Sequence, residues 1–267
     1  MTAKVPLVAV ALLASAVAAR ADTAVKCTYK SLGACPKIGC AKPNSPLAAT
    51  NSQKRTVATT GSPAKISFAD LQDLQTDVQT KFAHPPVPVA GEDVKSYHSM
   101  KAAPRKILLS GLPVASGKFS EGDFVELSGF IASEKQKPHP NKGETVNCKF
   151  KDEPRNDYHI SITPTKNSDE TKGVVVEMIP QDPHRKSKDW NLDKLRNIQD
   201  RQLPVKIRGR LFFDSEHSKN TSKTSTSTQP RRFSLWEIHP ISSFFVCESG
   251  SCTSSGWKAL ENWNPSP

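Results

Sequence analysis

After its first 21 residues this sequence has no apolar run long enough to cross a bilayer as a helix, which takes about 20 residues. That excludes a helical membrane anchor later in the chain. There is no Gly-x-Ser-x-Gly, so a serine nucleophile elbow is excluded. No glycine-rich phosphate cradle is present either, because Gly61-Ser62-Pro63 lacks the rest of a P-loop. Cys-x-x-Cys pairs are missing, which weakens any thiolate zinc site. His-x-His-x-Asp-His, His-Glu-x-x-His and Asp-Gly-Asp-Thr are also absent. Apolar residues are scarce at 36%, and 21 prolines are many, so part of the length is not packed core.

What is present begins with an export signal. Lys4 gives a positive start, Val5 to Ala19 is apolar or small, and Ala19-Arg20-Ala21 fits a cleavage site before Asp22. Residues 1–21 therefore predict a secretory signal peptide and a periplasmic or extracellular protein. Cys27 follows no lipobox, so no lipid anchor is expected. In an oxidising compartment Cys27, Cys35, Cys40, Cys148, Cys247 and Cys252 favour disulfides. Six cysteines leave fifteen connectivities. Cys247 and Cys252 bracket a four-residue loop and are expected to pair, and one of the first three is expected to reach Cys148. The formal charge of +11 favours an anionic partner, although solubility alone also accounts for it.

The period of the apolar residues divides the rest. Residues 22–105 read as an irregular region with one helix, 67–84. Ser67 to Asp70 forms a capping-box-like start, and Phe68, Leu71, Leu74, Val78 and Phe82 share one face. Residues 106–250 read as a β domain. Its strands are Phe124 to Ile131, Tyr158 to Ile162, Val174 to Ile179, Val205 to Phe213 and Phe233 to Val246. A helix over Asp189 to Gln202 separates the third from the fourth, and a Ser/Thr/Lys tract over 218–228 reads as a low-complexity loop. Residues 251–267 are a tail in which Trp257, Leu260 and Trp263 suggest a short helix packed on the barrel end.

A long first strand containing Gly129, and a helix between strands three and four, resemble the OB-fold barrel in element order. The fold class expected is mainly β: an OB-fold-like five-stranded barrel. Asp157-Tyr158-His159 and Trp236 to Pro240 also resemble strands of a set of uncharacterised exported bacterial proteins, a likeness that implies no activity. An OB-fold by itself implies none either.

Strand alternation then sorts the polar residues. Tyr158, Ile160 and Ile162 share one face, which sets Asp157, His159 and Ser161 on the other. Glu177 lies opposite Val176 and Met178, and Glu237 and His239 lie opposite Trp236 and Ile238. Asp214 and His217 follow the fourth strand. Asp157, His159, Glu177, Asp214, His217, Glu237 and His239 are therefore candidates for one polar surface. Imidazole with carboxylate suits a divalent metal that activates water for attack on a phosphodiester. The same groups also suit cross-strand ion pairs. No residue is assigned a catalytic role.

The loops carry the other signal. OB-folds bind single strands between the first and the last inter-strand loops. The first loop holds Lys135, Lys137, Lys142, Lys149, Lys151 and Arg155, and the last holds Lys219, Lys223, Arg231 and Arg232. Phe150, Phe212 and Phe233 are candidates to stack on bases. Asp157 and Glu177 on that face repel phosphate unless a cation intervenes. The expectation is an exported binding module for an anionic polymer, nucleic acid first, with Lys135, Lys137, Lys149, Lys151, Arg155, Arg231 and Arg232 as contacts. The alternatives are a metal-dependent phosphodiesterase or nuclease using the His/carboxylate face, and an envelope protein-interaction module.

Overall fold

In β1 (Phe124–Ile131) every second residue is buried, so Val125, Leu127, Gly129 and Ile131 face inward. The alternation recurs through Val205, Ile207, Gly209 and Leu211 of β4 (Pro204–Phe213). By contrast β2 (Tyr158–Thr163), β3 (Val174–Met178) and the first half of β5 (Trp236–Cys247) are buried at every position. A strand buried on both faces needs a second layer. The computed structural model shows that layer, describing residues 27–58, 60–83, 88–89, 92–93, 96–133, 137–217, 232–249 and 252–265. The signal-peptide reading of 1–21, the loop tract 218–228, Lys135 and Arg231 fall outside the described residues.

The strands close into a barrel in the order β1-β4-β5-β3-β2, and β2 pairs back onto β1 through Phe130↔Thr163 and Ile131↔Ile162. The β5–β3 pairing is parallel and the others are antiparallel. This is the OB-like arrangement. Two glycines permit it. A Cβ at Gly129 would lie 2.5 Å from the Thr163 carbonyl oxygen, at the closing pair. At Gly209 the β4–β5 register shifts, and a Cβ there would lie 2.5 Å from the Pro240 oxygen. The helix between β3 and β4, α5 (Leu192–Asp200), buries Leu195 and Ile198 against the barrel.

The N-terminal region holds more helix than its composition suggests. α1 (Pro46–Lys54) starts on Ser45, whose Oγ accepts from the Ala48 amide at 3.1 Å, with Pro46 in the first turn. α2 (Phe68–Ala83) is the expected helix. Its capping box is formed: Asp70 N donates to Ser67 Oγ at 3.1 Å and Ser67 N to Asp70 Oδ2 at 2.8 Å. Leu71, Leu74 and Val78 are fully buried in the common core, each stabilising by about 1.5–3 kcal/mol. α3 (Ala102–Leu108) precedes β1, and a single turn, α4 (Pro183–Lys186), follows β3.

The tail differs from expectation. In place of a short helix, β6 (Trp257–Ala259) pairs antiparallel with β5, and a 3-10 turn covers Leu260–Asn262. Leu260 and Trp263 are buried in the core, and Trp257 stays half-exposed.

The cysteines form three pairs: Cys27–Cys40, Cys35–Cys148 and Cys247–Cys252, with Cα separations of 5.4, 6.0 and 5.7 Å. No helix among the described residues is long and apolar enough to cross a membrane.

Candidate metal centre

Register sets the heart of the site. His159 on β2 is the cross-strand partner of Glu177 on β3. Ile238 on β5 pairs with Val176, which brings Glu237 and His239 to the same outer face. Asp157 stands just before β2. In an open barrel this face meets solvent. Here residues 35–55 and the loop 141–150 lie over it.

The cover is held at several points. Cys35–Cys148 is covalent, and Cys40 N donates to the Thr145 oxygen at 2.9 Å. Gly39 has φ +58°, and a Cβ there would lie 2.1 Å from that same oxygen, so the approach requires glycine. Arg55 ties the far end by donating to the Pro36 carbonyl at 2.7 Å. α1 turns Thr50, Asn51 and Lys54 inward, a polar buried face that suits the polar layer beneath it.

All seven titratable candidates lie in one continuous chain of contacts, and six of them are almost wholly buried. His217 pairs with Asp214, which accepts from Arg232 Nη2 at 3.0 Å. Arg232 also pairs with Glu237. Glu237 Oε2 is 3.6 Å from His239 Nδ1, which lies 3.2 Å from Glu177 Oε2. His239 Nε2 is 3.7 Å from Asp157 Oδ2. The other Glu177 oxygen, Oε1, is 3.0 Å from His159 Nε2. His159 Nε2 is 4.0 Å from Glu144 Oε1, and Lys54 Nζ is 3.7 Å from the same oxygen.

Two sets within this chain have the spacing of metal ligands. Asp157, Glu177 and His239 offer three atoms all within 4.8 Å of one another, and so do Glu144, His159 and Glu177. A third set, Cys27, Cys40 and Cys148, consists of disulfide sulfurs, which are not thiolate ligands. In the first set the ligand atoms have ion-pair contacts but no aligned hydrogen bond, whereas in the second Glu144 Oε1 accepts from Asn141 Nδ2 at 2.5 Å and the same nitrogen lies 3.2 Å from His159 Nε2. Both oxygens of Asp157, both oxygens of Glu177 and both ring nitrogens of His239 are buried without a hydrogen-bond partner among the described residues. His159 Nδ1, Glu144 Oε2 and Glu237 Oε2 share that condition. Buried polar atoms are ordinarily paired.

The electrostatics agree with the geometry. Five carboxylates (Glu144, Asp157, Glu177, Asp214 and Glu237) face two fixed cations, Lys54 and Arg232. Three negative charges therefore remain for protons or metal to balance. Burial raises Asp157 to about 6, with Glu144 and Glu177 adding to the shift. Burial opposes charge on His239, yet Glu177 and Glu237 hold its imidazole up at about 10. Burial raises Glu177, but His159 and His239 outweigh it and hold the carboxyl well below its usual range. Glu237 is pushed up by burial and by Asp214.

The basic residues divide. Lys137, Lys149 and Lys151 are exposed. Arg155 bonds Asp152 at 2.6 Å and lies over the Phe150 ring. Arg232, expected on the polymer-binding surface, is instead interior, because two buried carboxylates need its charge. Of the stacking candidates, Phe212 and Phe150 are internal and Phe233 is partly buried. Phe212 is buried edge-on to His239, Phe150 packs in the cysteine cluster, and Phe233 lies against Phe68.

Sequence reasoning missed Lys54, Glu144 and Asn141, whose amide nitrogen is 3.2 Å from His159 Nε2. It also missed His139, whose ring centroid lies 5.9 Å from that of His159. Lys54 and Glu144 carried no local signal, since each is an ordinary charged residue in a polar segment. His139 stands in an expected loop, yet it is the register partner of His159.

No protein-family model matches this chain, and neither the curated proteins nor the solved structures give a match.

Proposed function

We propose that this is a divalent-metal protein, the ion held by Asp157, Glu177 and His239 on the outer face of the barrel. The observation that carries this reading is the set of six buried ligand atoms on those residues, which among the described residues have ion-pair contacts within the cluster but no aligned hydrogen bond. Metal–ligand bonds of about 2.0–2.2 Å fit donors spaced as these are. A mixed imidazole and carboxylate set suits zinc, manganese or iron. Three protein ligands leave a position for water, and a bound water is the nucleophile of metal-assisted hydrolysis. The activity class proposed is hydrolysis of an anionic ester, a phosphodiester first. Residues 1–21 support an exported protein.

The second reading, binding of nucleic acid or another anionic polymer, is favoured by one observation. Exposed Lys137, Lys149 and Lys151 flank the loop that delivers Glu144 to the site. A polymer held there lies on the loop that covers the buried ligands.

Elemental analysis of the purified mature protein, followed by a nuclease assay with and without chelator, tests the first reading. The expected result is bound metal that Asp157→Asn and His239→Ala each remove. A metal-free protein that takes up neither Zn²⁺ nor Mn²⁺ would overturn it. For the second reading, affinity for single-stranded DNA must fall as salt rises. Salt-independent affinity would count against contacts from these lysines.

A further inference from the structure

We propose that the site holds two divalent ions, with Glu177 as the bridging carboxylate and Glu144 and His159 as ligands of the second ion. This rests on the reading of Asp157, Glu177 and His239 as a metal site. Its own observation is that the two Glu177 oxygens serve different imidazoles: Oε1 lies 3.0 Å from His159 Nε2 and Oε2 lies 3.2 Å from His239 Nδ1. Both oxygens are buried, and among the described residues each has its imidazole as contact and no aligned hydrogen bond. A carboxylate so placed presents one oxygen to each of two ions, which in two-metal sites stand about 3.5–4 Å apart.

The second set is built as firmly as the first. His159 is fixed opposite Glu177 by strand register. Glu144 comes from the loop that Cys148 pins to Cys35, and the Asn141 amide bonds the Asp157 carbonyl at 2.9 Å beneath it. Glu144 Oε2 is also buried without a hydrogen-bond partner among the described residues. With the imidazoles neutral, charge permits the count, although protons on His159, His217 and His239 would close the same balance. Five carboxylates against Lys54 and Arg232 leave three negative charges. Two divalent ions and one hydroxide between them close that balance. A hydroxide shared by two ions is a nucleophile suited to in-line attack on a phosphoester.

The test is a titration of chelator-treated, full-length mature protein with Mn²⁺ alone. Bound ion is counted at equilibrium and the spin state is followed by electron paramagnetic resonance. Two ions per chain with an exchange-coupled spectrum are expected. Glu144→Gln and His159→Ala should each reduce the count to one and abolish the coupling, and Glu144, at the rim of the cluster, is the milder change. A count of one in the unsubstituted protein overturns the two-ion inference and leaves the single-ion reading intact. A count of zero with Mn²⁺, and with Zn²⁺ in a parallel titration, overturns both. Two ions retained in both variants place the second ion elsewhere and overturn the assignment.

Discussion

Cys35 and Cys148 stand 113 residues apart in the chain and 6.0 Å apart at their Cα atoms. The bond joins the N-terminal cover to the loop that carries Glu144. Replacing both by serine should destabilise the protein by about 2–5 kcal/mol, because the unfolded chain regains a long loop. Guanidinium unfolding measures this. An unchanged midpoint would mean that the non-covalent contacts of the cover suffice.

Ser67 and Asp70 cap α2 reciprocally. Ser67→Ala should cost about 1 kcal/mol. Burial raises the Asp70 carboxyl, but hydrogen bonds from Ser67 and Ser116 outweigh it and set it below the ordinary value of 3.8. A group depressed on folding stabilises fully above its unfolded value. This contribution is therefore present from about pH 5 upward, and it is lost as pH falls through 3.8 and below. Urea melts at pH 6 and pH 3 should show a smaller acid loss in Ser67→Ala than in the parent. An equal loss would remove the cap from the account.

Arg232 separates Asp214 from Glu237 in the interior. Arg232→Met strands two buried carboxylates and should cost about 3–5 kcal/mol. Arg232→Lys should recover only part, since an ammonium cannot reproduce the fork of the guanidinium. Thermal melts of the two variants decide it. Full recovery by lysine would show that charge alone matters there.

Metal should stabilise the fold by mass action. At a hundred times its dissociation constant, an ion adds about 2.7 kcal/mol. Differential scanning calorimetry with Zn²⁺ or Mn²⁺ should show a higher transition that chelator reverses. Glu177→Gln should abolish the difference. A parent protein whose transition ignores both ions would argue for a proton-balanced ionic network.

The barrel was legible because its strands alternate. Val125, Leu127 and Ile131 announce β1, and Leu195 and Ile198 announce α5. Helix α1 was not, because the face it buries is Thr50, Asn51 and Lys54. No apolar period marks a helix that docks on a polar layer. In the tail, the three-residue spacing of Leu260 and Trp263 suits a 3-10 turn as well as an α-helix. At the site, alternation grouped His159, Glu177, Glu237 and His239 on one face. Their burial was hidden, since the helix covering them, Pro46–Lys54, lies far earlier in the chain.

That separation also orders assembly. The cover leaves the ribosome first, yet Thr145 and Cys148, the residues that receive it, are made long afterward, and β3 and β5 later still. Helix α1 therefore has no polar layer to dock on until β3 and β5 exist. Until that layer is covered, its carboxylates are open to the ions of whatever compartment folds the chain.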